Sequence, residues 1–537
     1  MRRTGKSSPP FHWHALLLVL LAGGCDVNGS LLPEESFRPI VEVAGFRSTV
    51  AGIVYDVEDG RVLEDVELRF LGEGGLLIRD FLDRPVSGPA LVGKSASFGL
   101  ANTARPAPDR PVELVVLAHK PGYRASSTRL EFRGPGPHEF RIGLLPESGV
   151  SGEIHDAATA TVTNGRLADA LVLTPTLAGA EVLSVALPAA SKMDAGPAPI
   201  NGLITLEASW SAPSQESLLQ LPGGTDALFS GGEGLLPGGT DTGSANGEGL
   251  LPGTMVLGSI VRVFSPGHEG LVFGDSADVM ALVSPVLSSP RTNAPVVAGV
   301  DIDVFAWQPE RGTWRLEDRV PVVPVAGGLG ARFRIRSTGL FGVGYRTVPC
   351  ADATLRLSGN DAGGVVVAHR GQSGRADGIR VWRFRAGEET VTLSSPPSFW
   401  RGQLEVVHDE ERAVVSFGDL CGGAWDVDLT RRGAGEPTPH RLVAESCDAL
   451  ILNDVPTANL LVVPDASLGK RALQAPYIVE HLTRSRDSAG RLLGFEGVSP
   501  GTRGQLVLAV DRQAWTYDLP GETIDISAMA IESGLCL

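Results

Sequence analysis

The residues best suited to chemistry are few and scattered along the chain. His408-Asp409-Glu410-Glu411 contains an H-x-x-E spacing, in which a histidine and a glutamate can hold a zinc ion. The cluster falls in a charged turn between two predicted strands and no third ligand is evident, so we interpret it as a solvated turn. The other histidines beyond residue 25 stand singly, at His119, His138, His155, His268, His369, His440 and His481.

The sequence motifs of the common enzyme classes give no support for catalysis. None of the G-x-S-x-G elbow, the H-E-x-x-H helix, the P-loop and the G-x-G-x-x-G turn occurs in the strand-and-helix setting that its chemistry requires. No C-x-x-C spacing occurs either, which argues against a zinc ribbon or a thioredoxin-like motif. The sequence therefore predicts no enzyme, no metal ion and no cofactor.

The first 25 residues are typical of a secretory signal. Arg2, Arg3 and Lys6 give a basic start, an apolar run follows over residues 15–22, and small residues precede Cys25. The run is shorter than the roughly 20 apolar residues that a spanning helix needs. We expect residues 1–25 to act as an export signal and residues 26–45 to be a linker.

Ala22-Gly23-Gly24-Cys25 resembles the lipobox of bacterial lipoproteins. The resemblance implies that Cys25 is diacylated, becomes the new N-terminus and anchors the chain to a bacterial membrane on its periplasmic or surface side. Ala22 departs from the pattern, because the family prefers leucine there. The alternative is an ordinary signal peptide, with Cys25 left free or disulfide-bonded.

Composition limits the fold and the partners. A chain of 537 residues is too long for one core and indicates three or four domains. Its formal net charge of -16 disfavours nucleic acid, since phosphate binding needs clustered cations. The 67 glycines and 38 prolines separate short Val- and Leu-rich runs, a pattern of strands joined by turns. The predicted fold class is all-β and multidomain.

Residues 46–148 are predicted to form a compact β-sandwich of about seven strands. Their G-x-V-x-D, Gly and A-x-K-x-G-Y spacing resembles the carboxypeptidase regulatory-like, transthyretin-like domain, which implies a spacer or binding platform and no reaction. Asp56 and Asp59 are expected to cap a turn rather than bind a cation. The matching residues are Gly52, Val54, Asp56, Gly60, Val66, Leu68, Ala118, Lys120, Gly122 and Tyr123.

Residues 149–347 are predicted to form a second β-sandwich region. The Trp307 to Trp314 stretch resembles the ZU5-like sandwiches of surface and matrix proteins, and we expect both tryptophans to pack in the core. An L-P-G repeat, whose prolines stand 15 residues apart at Pro222, Pro237 and Pro252, is rich in glycine. Such composition predicts a flexible insertion over residues 217–256.

Residues 348–537 carry four apolar runs about 47 residues apart, a spacing within the range of propeller blades. We expect either a four-bladed β-propeller or two sandwiches whose strands are evenly spaced. The runs are Val365-Val366-Val367-Ala368, Val414-Val415-Ser416-Phe417, Leu461-Val462-Val463-Pro464 and Val507-Leu508-Ala509-Val510.

If Cys25 carries lipid, an even set of four cysteines remains, which in an exported chain indicates two disulfides. In a closed propeller the two ends of the domain meet. That geometry predicts bonds joining Cys350 to Cys536 and Cys421 to Cys447.

These observations predict a secreted, lipid-anchored cell-envelope protein that acts as a non-catalytic binding, adhesion or scaffold module. Its partners would be the membrane, through the N-terminal lipid, and an extracellular or periplasmic protein or glycan. The alternative is a carbohydrate- or protein-binding receptor whose ligand site lies in the last domain. Exposed, coplanar aromatics would indicate glycan binding, and burial of Trp382, Trp425 and Trp515 would indicate a scaffold.

Overall fold

The computed structural model is nearly all β, as predicted. Cys25, Cys447 and Cys536 lie outside the residues it describes. It describes residues 46–80, 82–147, 153–196, 199–214, 217–218, 221–223, 227–230, 250–268, 270–359, 364–371, 377–384, 388–408, 411–429, 441–443, 458–464, 477–478, 482–483, 492–495, 504–510, 513–519, 523–525, 527 and 531.

The first sandwich, within residues 46–147, contains eight strands and one short helix. Its elements are β1 (Ser48–Asp56), β2 (Val66–Leu71), α1 (Gly72–Gly75), β3 (Ile78–Arg79), β4 (Ala90–Val92), β5 (Ala96–Leu100), β6 (Val112–His119), β7 (Ser126–Phe132) and β8 (Gly136–Leu144). They form two four-stranded sheets of order β3-β5-β1-β8 and β4-β2-β6-β7. Val50 and Phe140 of one sheet share a buried core with Leu68 and Val116 of the other.

Hydrogen bonds explain the spacing of the motif in this sandwich. The Asp56 carboxylate accepts the main-chain N–H groups of Glu58 and Asp59 at 2.8 and 3.4 Å, which caps the turn as predicted. The Tyr123 hydroxyl donates to the same carboxylate at 2.9 Å, and Lys120 Nζ donates to the Glu64 carbonyl at 2.7 Å. The A-x-K-x-G-Y segment is therefore fastened to the first turn.

The central sheet, within residues 153–347, is one continuous 13-stranded sheet. The strands in this part of the chain are β9 (Ile154–Thr163), β10 (Arg166–Leu167), β11 (Leu171–Leu173), β12 (Thr176–Leu177), β13 (Ala180–Glu181), β14 (Leu183–Leu187), β15 (Met193–Asp194), β16 (Gly202–Ser211), β17 (Ala227–Ser230), β18 (Leu250–Phe264), β19 (Val272–Val283), β20 (Asp301–Gln308), β21 (Thr313–Val325), β22 (Gly328–Ser337) and β23 (Gly339–Thr347). The main path of the sheet runs β10-β9-β16-β18-β23-β20-β21-β22-β19-β14-β11. Beside this path β15 pairs with β19 and β17 pairs with β18 and β21, while β12 and β13 form a separate two-stranded sheet.

The long strand β21 explains how this sheet curls. Its first part pairs with β20 and its last part with β22, so the chain passes from one half of the sheet to the other without a break. Val261 of one half and Val279 of the other lie in the same buried cluster. The central sheet therefore encloses its own core.

The structure corrects the predicted flexible insertion over residues 217–256. Leu221 and Ala227 are buried, β17 pairs with β18, and β18 already begins at Leu250. The prediction from glycine and proline content was wrong for both ends of this segment, because their few apolar side chains pack into a neighbouring apolar core. Residues 231–249, the middle of the predicted insertion, lie outside the described residues.

The second sandwich, within residues 350–429, contains seven strands. They are β24 (Ala353–Ser358), β25 (Gly364–Arg370), β26 (Gly378–Phe384), β27 (Thr390–Leu393), β28 (Gly402–His408), β29 (Glu411–Phe417) and β30 (Ala424–Asp428). A three-stranded sheet of order β27-β24-β30 packs on a four-stranded sheet of order β26-β25-β28-β29. Leu355 and Val391 of one sheet share a core with Val366 and Leu404 of the other.

The last sheet pair lies within residues 441–525. Its strands are β31 (Arg441–Val443), β32 (Ala458–Pro464), β33 (Tyr477–Ile478), β34 (Leu482–Thr483), β35 (Leu492–Phe495), β36 (Gly504–Val510), β37 (Gln513–Leu519) and β38 (Thr523–Asp525). They form two four-stranded sheets of order β34-β35-β31-β38 and β33-β32-β36-β37.

The predicted propeller is wrong, and the alternative of two sandwiches fits the strand order. A blade pairs consecutive strands, whereas β24 pairs with β30 and β31 with β38. The four apolar runs do form strands, but these are not equivalent as blade repeats would be: β25 and β32 lie second in their sheets, β36 lies third and β29 lies at an edge. Each of the two modules therefore contains two of the four apolar runs.

The first sandwich, the second sandwich and the last sheet pair follow one topology. In each, the first strand lies parallel to the last strand and hydrogen-bonds to it, as β1 with β8, β24 with β30 and β31 with β38. The other pairings between named strands in these three modules are antiparallel.

The predicted cysteine pairing is also wrong. Cys350 bonds to Cys421, with the two Cα atoms 5.6 Å apart. The two cysteines come just before β24 and β30, whose parallel register sets Thr354 beside Ala424 and so brings the strand starts together. The described strands of residues 350–525 form two separate sheet pairs, whereas the prediction of Cys536 as the partner assumed one closed ring.

Within the described part of the chain, no helix has the length and apolarity needed to cross a bilayer.

Candidate functional site: the junction of three modules

A buried apolar cluster joins the first sandwich, the central sheet and the second sandwich, and we call it the junction core. Burying each large apolar side chain contributes about 1.5–3 kcal/mol, so separating the modules would expose a costly surface. Its buried members are Leu117 from the first sandwich, Leu218, Leu221, Ala227, Phe229, Met255, Leu257, Ile260, Phe305, Trp307 and Trp314 from the central sheet, and Val365, Val367, Ile379 and Val407 from the second sandwich.

Two tryptophans from the β20–β21 hairpin lie in the junction core, as expected from the sequence. Trp307 and Trp314 are 9% and 0% exposed, and their ring centroids lie 5.6 Å apart. The Trp314 indole N–H donates to the Pro222 carbonyl at 3.0 Å, which ties the first L-P-G repeat to the hairpin. At the hairpin turn the Gly312 carbonyl accepts the Ser127 hydroxyl of the first sandwich at 2.9 Å.

Strand β25 is buried on both faces, which places the second sandwich in the junction. Alternate residues Val366 and Ala368 face the core of the sandwich, while Val365 and Val367 face the junction core. The continuous apolar run in the sequence has this cause, because a strand covered on one face alternates with polar residues. The outer face of this sheet is therefore an interface between modules.

A buried ion pair fastens the same interface. Arg370 Nη1 contacts Asp377 Oδ2 at 2.5 Å, with the two side chains 2% and 3% exposed. The guanidinium also donates to the carbonyls of Ser288 and Ser289 at 3.0 and 2.9 Å, in the loop between β19 and β20. Burial raises the pKa of the Asp377 carboxyl, and the charge of Arg370 opposes that shift.

Further polar contacts belong to this pair. The Asp377 carboxylate accepts the Ser288 N–H at 2.9 Å, and the Asp377 carbonyl accepts the Leu257 N–H of β18 at 2.8 Å. Beside them, His369 Nε2 lies 2.9 Å from Glu405 Oε2, with both side chains buried. The second sandwich is thus held to the central sheet by main-chain and charged bonds as well as apolar packing.

A cleft of about 110 Å³ opens where the first sandwich meets the central sheet. Arg124 and Glu153 line it as a two-bond ion pair, with N–O distances of 2.7 and 3.0 Å, and Ser209 donates to the same carboxylate at 3.1 Å. Burial raises the pKa of Glu153, but the bonds and charge of Arg124 outweigh it and hold that pKa below its ordinary value.

A second arginine stands close to this pair. Arg262 Nη1 donates to the Glu147 carbonyl, and its guanidinium lies 3.6 Å over the Phe264 ring. Burial lowers the pKa of Arg262 to about 10, and the charge of Arg124 adds to that shift. These charges fix the position of the chain as it leaves the first sandwich.

The sequence-predicted candidates for chemistry do not meet at the junction. His408 and Glu411 are directly paired residues of the β28–β29 hairpin, as the turn interpretation requires. No group of three or more metal-ligating side chains occurs among the described residues. Trp382 is buried and donates to the Ser394 carbonyl at 2.9 Å, and Trp425 is half-buried against Phe417.

Two stretches match catalytic motifs in their letters alone. Gly88 to Ser95 matches G-x-x-x-x-G-K-S, but it runs from the turn before β4 to the start of β5, without the following helix that cradles a phosphate. Its Lys94 lies 3.4 Å from Glu64. Residues 497–501 match G-x-S-x-G, yet the next element is strand β36, whereas a nucleophile elbow leads into a helix.

Sequence reasoning missed the polar part of the junction. Arg370, Asp377 and Glu153 are charged residues in otherwise ordinary segments, and their burial depends on modules that approach only after folding. The one available signal was the apolar run Val365-Val366-Val367-Ala368, which leads directly into His369-Arg370. A strand whose apolar run is not interrupted by polar residues is typical of one covered on both faces.

Comparison with known proteins gives little further information. No protein-family model and no curated protein matches the sequence. Similar solved structures include a variant of BcpA, the major pilin subunit of Bacillus cereus, at 8% identity over 71% of this chain and 99% of that chain, with a TM-score of 0.14. Full-length RrgB pilus protein from Streptococcus pneumoniae matches at 8% identity over 88% and 92%, also with a TM-score of 0.14. These scores are too low to carry an argument.

Proposed function

We propose that this protein is a secreted, lipid-anchored cell-envelope scaffold without catalytic activity. The junction core carries the proposal, because it unites three modules through shared aromatic and aliphatic side chains. Modules joined by a flexible linker would each close their own core and present polar faces to one another. A fused arrangement suits a protein that holds its partners at a fixed distance from a surface.

The N-terminal sequence supports the anchor. A basic start, a short apolar run and Ala22-Gly23-Gly24-Cys25 together favour export followed by lipidation of Cys25. The acidic net charge of -16 favours a soluble exposed body and disfavours nucleic acid as a partner. The partner is thus proposed to be a protein of the periplasm or cell exterior.

The aromatic residues of the second sandwich favour a scaffold over a glycan receptor. A sugar-binding platform needs aromatic faces open to solvent, whereas Trp382 is 7% exposed and Trp425 is half-buried. The side chain of Trp515 lies outside the described residues. The tryptophans that are described thus support packing rather than ligand binding.

Membrane fractionation tests the anchor. Wild-type protein is expected in the membrane fraction, and Cys25→Ser is expected in the soluble fraction after export. Cys350→Ser serves as the matched control, since it removes a cysteine outside the signal and should stay with the membrane. A Cys25→Ser protein that still sediments with membranes would contradict the lipid anchor.

A further inference from the structure

The repeated pairing of first and last strands determines how a module responds to tension. In the first sandwich β1 lies parallel to β8 over the whole of its length, from the Ser48–Gly136 pair to the Asp56–Leu144 pair. The Gly136 N–H to Arg47 carbonyl bond of 2.9 Å and the Val57 N–H to Leu144 carbonyl bond of 3.1 Å extend this ladder at its two ends.

Tension along the chain loads this ladder in shear. The chain enters the module at the N-terminal end of β1 and leaves it at the C-terminal end of β8. Because the strands are parallel, these two points lie at opposite ends of the ladder, so the strands are pulled past each other along their axes. Every bond of the ladder then carries load together, whereas strands pulled from one end lose their bonds one at a time.

The second sandwich has the same order of first and last strands, but its disulfide moves the path of the force away from the ladder. Strands β24 and β30 are parallel from the Thr354–Ala424 pair to the Ser358–Asp428 pair. Cys350 and Cys421, 71 residues apart in sequence, lie just before the two strands. Load entering at Cys350 passes through the sulfur atoms to Cys421 and then along β30. The chain between the two cysteines therefore lies outside the path of the force.

We propose that this protein is a load-bearing tether. The parallel first and last strands of a module resist extension, and the Cys350–Cys421 bond keeps the chain between the two cysteines from being unfolded by tension. The inference goes beyond the scaffold role, and it rests on strand order and the disulfide alone. An envelope protein anchored at one end and bound to a partner elsewhere would experience such tension.

The disulfide has a measurable consequence for extension. At about 3.3–3.6 Å per extended residue, the 71-residue separation hides about 24 nm of chain. Pulling the full chain in an optical trap without reductant should therefore release about 24 nm more contour length for Cys350→Ser than for the wild type. Equal total contour length for the two proteins would overturn the bypass.

The shear geometry has its own control within the first sandwich. Handles placed on the full chain at Arg47 and Glu147 load β1 and β8 from opposite ends. Handles at Arg47 and Pro135 load them from the same end, since Pro135 comes just before β8. The first arrangement should need a several-fold higher force at the same pulling rate. Equal forces would overturn the shear proposal. Neither measurement involves Cys25, so membrane anchoring is tested separately.

Discussion

The buried Arg370–Asp377 pair offers a sharp test of how the modules are joined. Replacing Arg370 with Met keeps much of the side-chain volume but removes the charge and its hydrogen-bond donors. The Asp377 carboxylate, 3% exposed, would then be left without its cation. The carbonyls of Ser288 and Ser289 would also lose their guanidinium donor.

The expected loss of stability follows from burial. Removing one partner of a buried ion pair is destabilising by about 3–5 kcal/mol, because the remaining charge cannot be solvated. The exposed Arg334–Asp278 pair provides a matched control, since its N–O distance is 2.9 Å but its side chains are 74% and 69% exposed. Arg334→Met should change the unfolding free energy by less than about 1 kcal/mol.

Urea unfolding at pH 7, followed by tryptophan fluorescence, measures both variants. Arg370→Met should lower the midpoint without changing the slope, which reports lost stability rather than a changed unfolded state. Hydrogen exchange should speed up in residues 284–296, since their loop loses its bonds to Arg370. The double variant Arg370→Met with Asp377→Leu should recover part of the loss, because no lone charge remains.

The reasoning would be refuted if Arg370→Met matched Arg334→Met in unfolding free energy. It would also be refuted if the loss of unfolding free energy in the double variant equalled the sum of the losses measured for Arg370→Met and Asp377→Leu alone. Either result would mean that the interface gains nothing from this ion pair.

Three further predictions concern other parts of the fold. The folded-state pKa of Glu153 lies below its ordinary value of 4.5, so its ion pair with Arg124 stabilises the fold above pH 4.5. That stabilisation is lost as the pH falls through the lowered pKa, and Glu153→Gln should flatten this part of the plot of unfolding free energy against pH. Gly344→Ala would place a methyl group against the main chain of β18, and calorimetry should show a loss of about 1–3 kcal/mol in unfolding free energy. Gly418→Ala is the control, since its methyl group would meet open space and should leave the unfolding free energy unchanged. Non-reducing peptide mapping should recover the bonded Cys350–Cys421 peptide and a second peptide joining Cys447 to Cys536, and a mixed pairing would contradict two separate modules.

Local patterns predicted the strands and turns well. Apolar runs such as Val365-Val366-Val367-Ala368 identified strands, and Asp56 was assigned its capping role from residue type alone. These features depend on neighbours within a few residues, so the sequence carries them directly. The all-β class follows from the same signals.

Pairing between distant segments could not be predicted in the same way. Even spacing of apolar runs is compatible with propeller blades and with sandwiches, because both need strands of similar length at similar intervals. The parallel pairing of β24 with β30 joins segments about 70 residues apart, and no local pattern encodes it. The predicted bond between Cys350 and Cys536 was wrong for the same reason, because that prediction assumed a closed ring of blades.

The burial of charged residues was equally hidden. Arg370 and Glu405 are buried in strands against which the central sheet packs, and the loop between β19 and β20 covers Arg370 with the Ser288 and Ser289 carbonyls. Leu221 in the glycine-rich repeat is buried for the same reason. Burial at an interface between modules is a property of the assembled fold, and composition within a window of the sequence does not report it.

The central claim is that the first and second sandwiches hold a fixed relation through the junction core. Spin labels at Leu91 and Val414, which are 50% and 48% exposed, would report the distance between these two modules without touching their interface. Pulsed electron spin resonance on the full chain should give one narrow distance distribution. A broad distribution, or several separate distances, would show modules that move independently and would contradict the account.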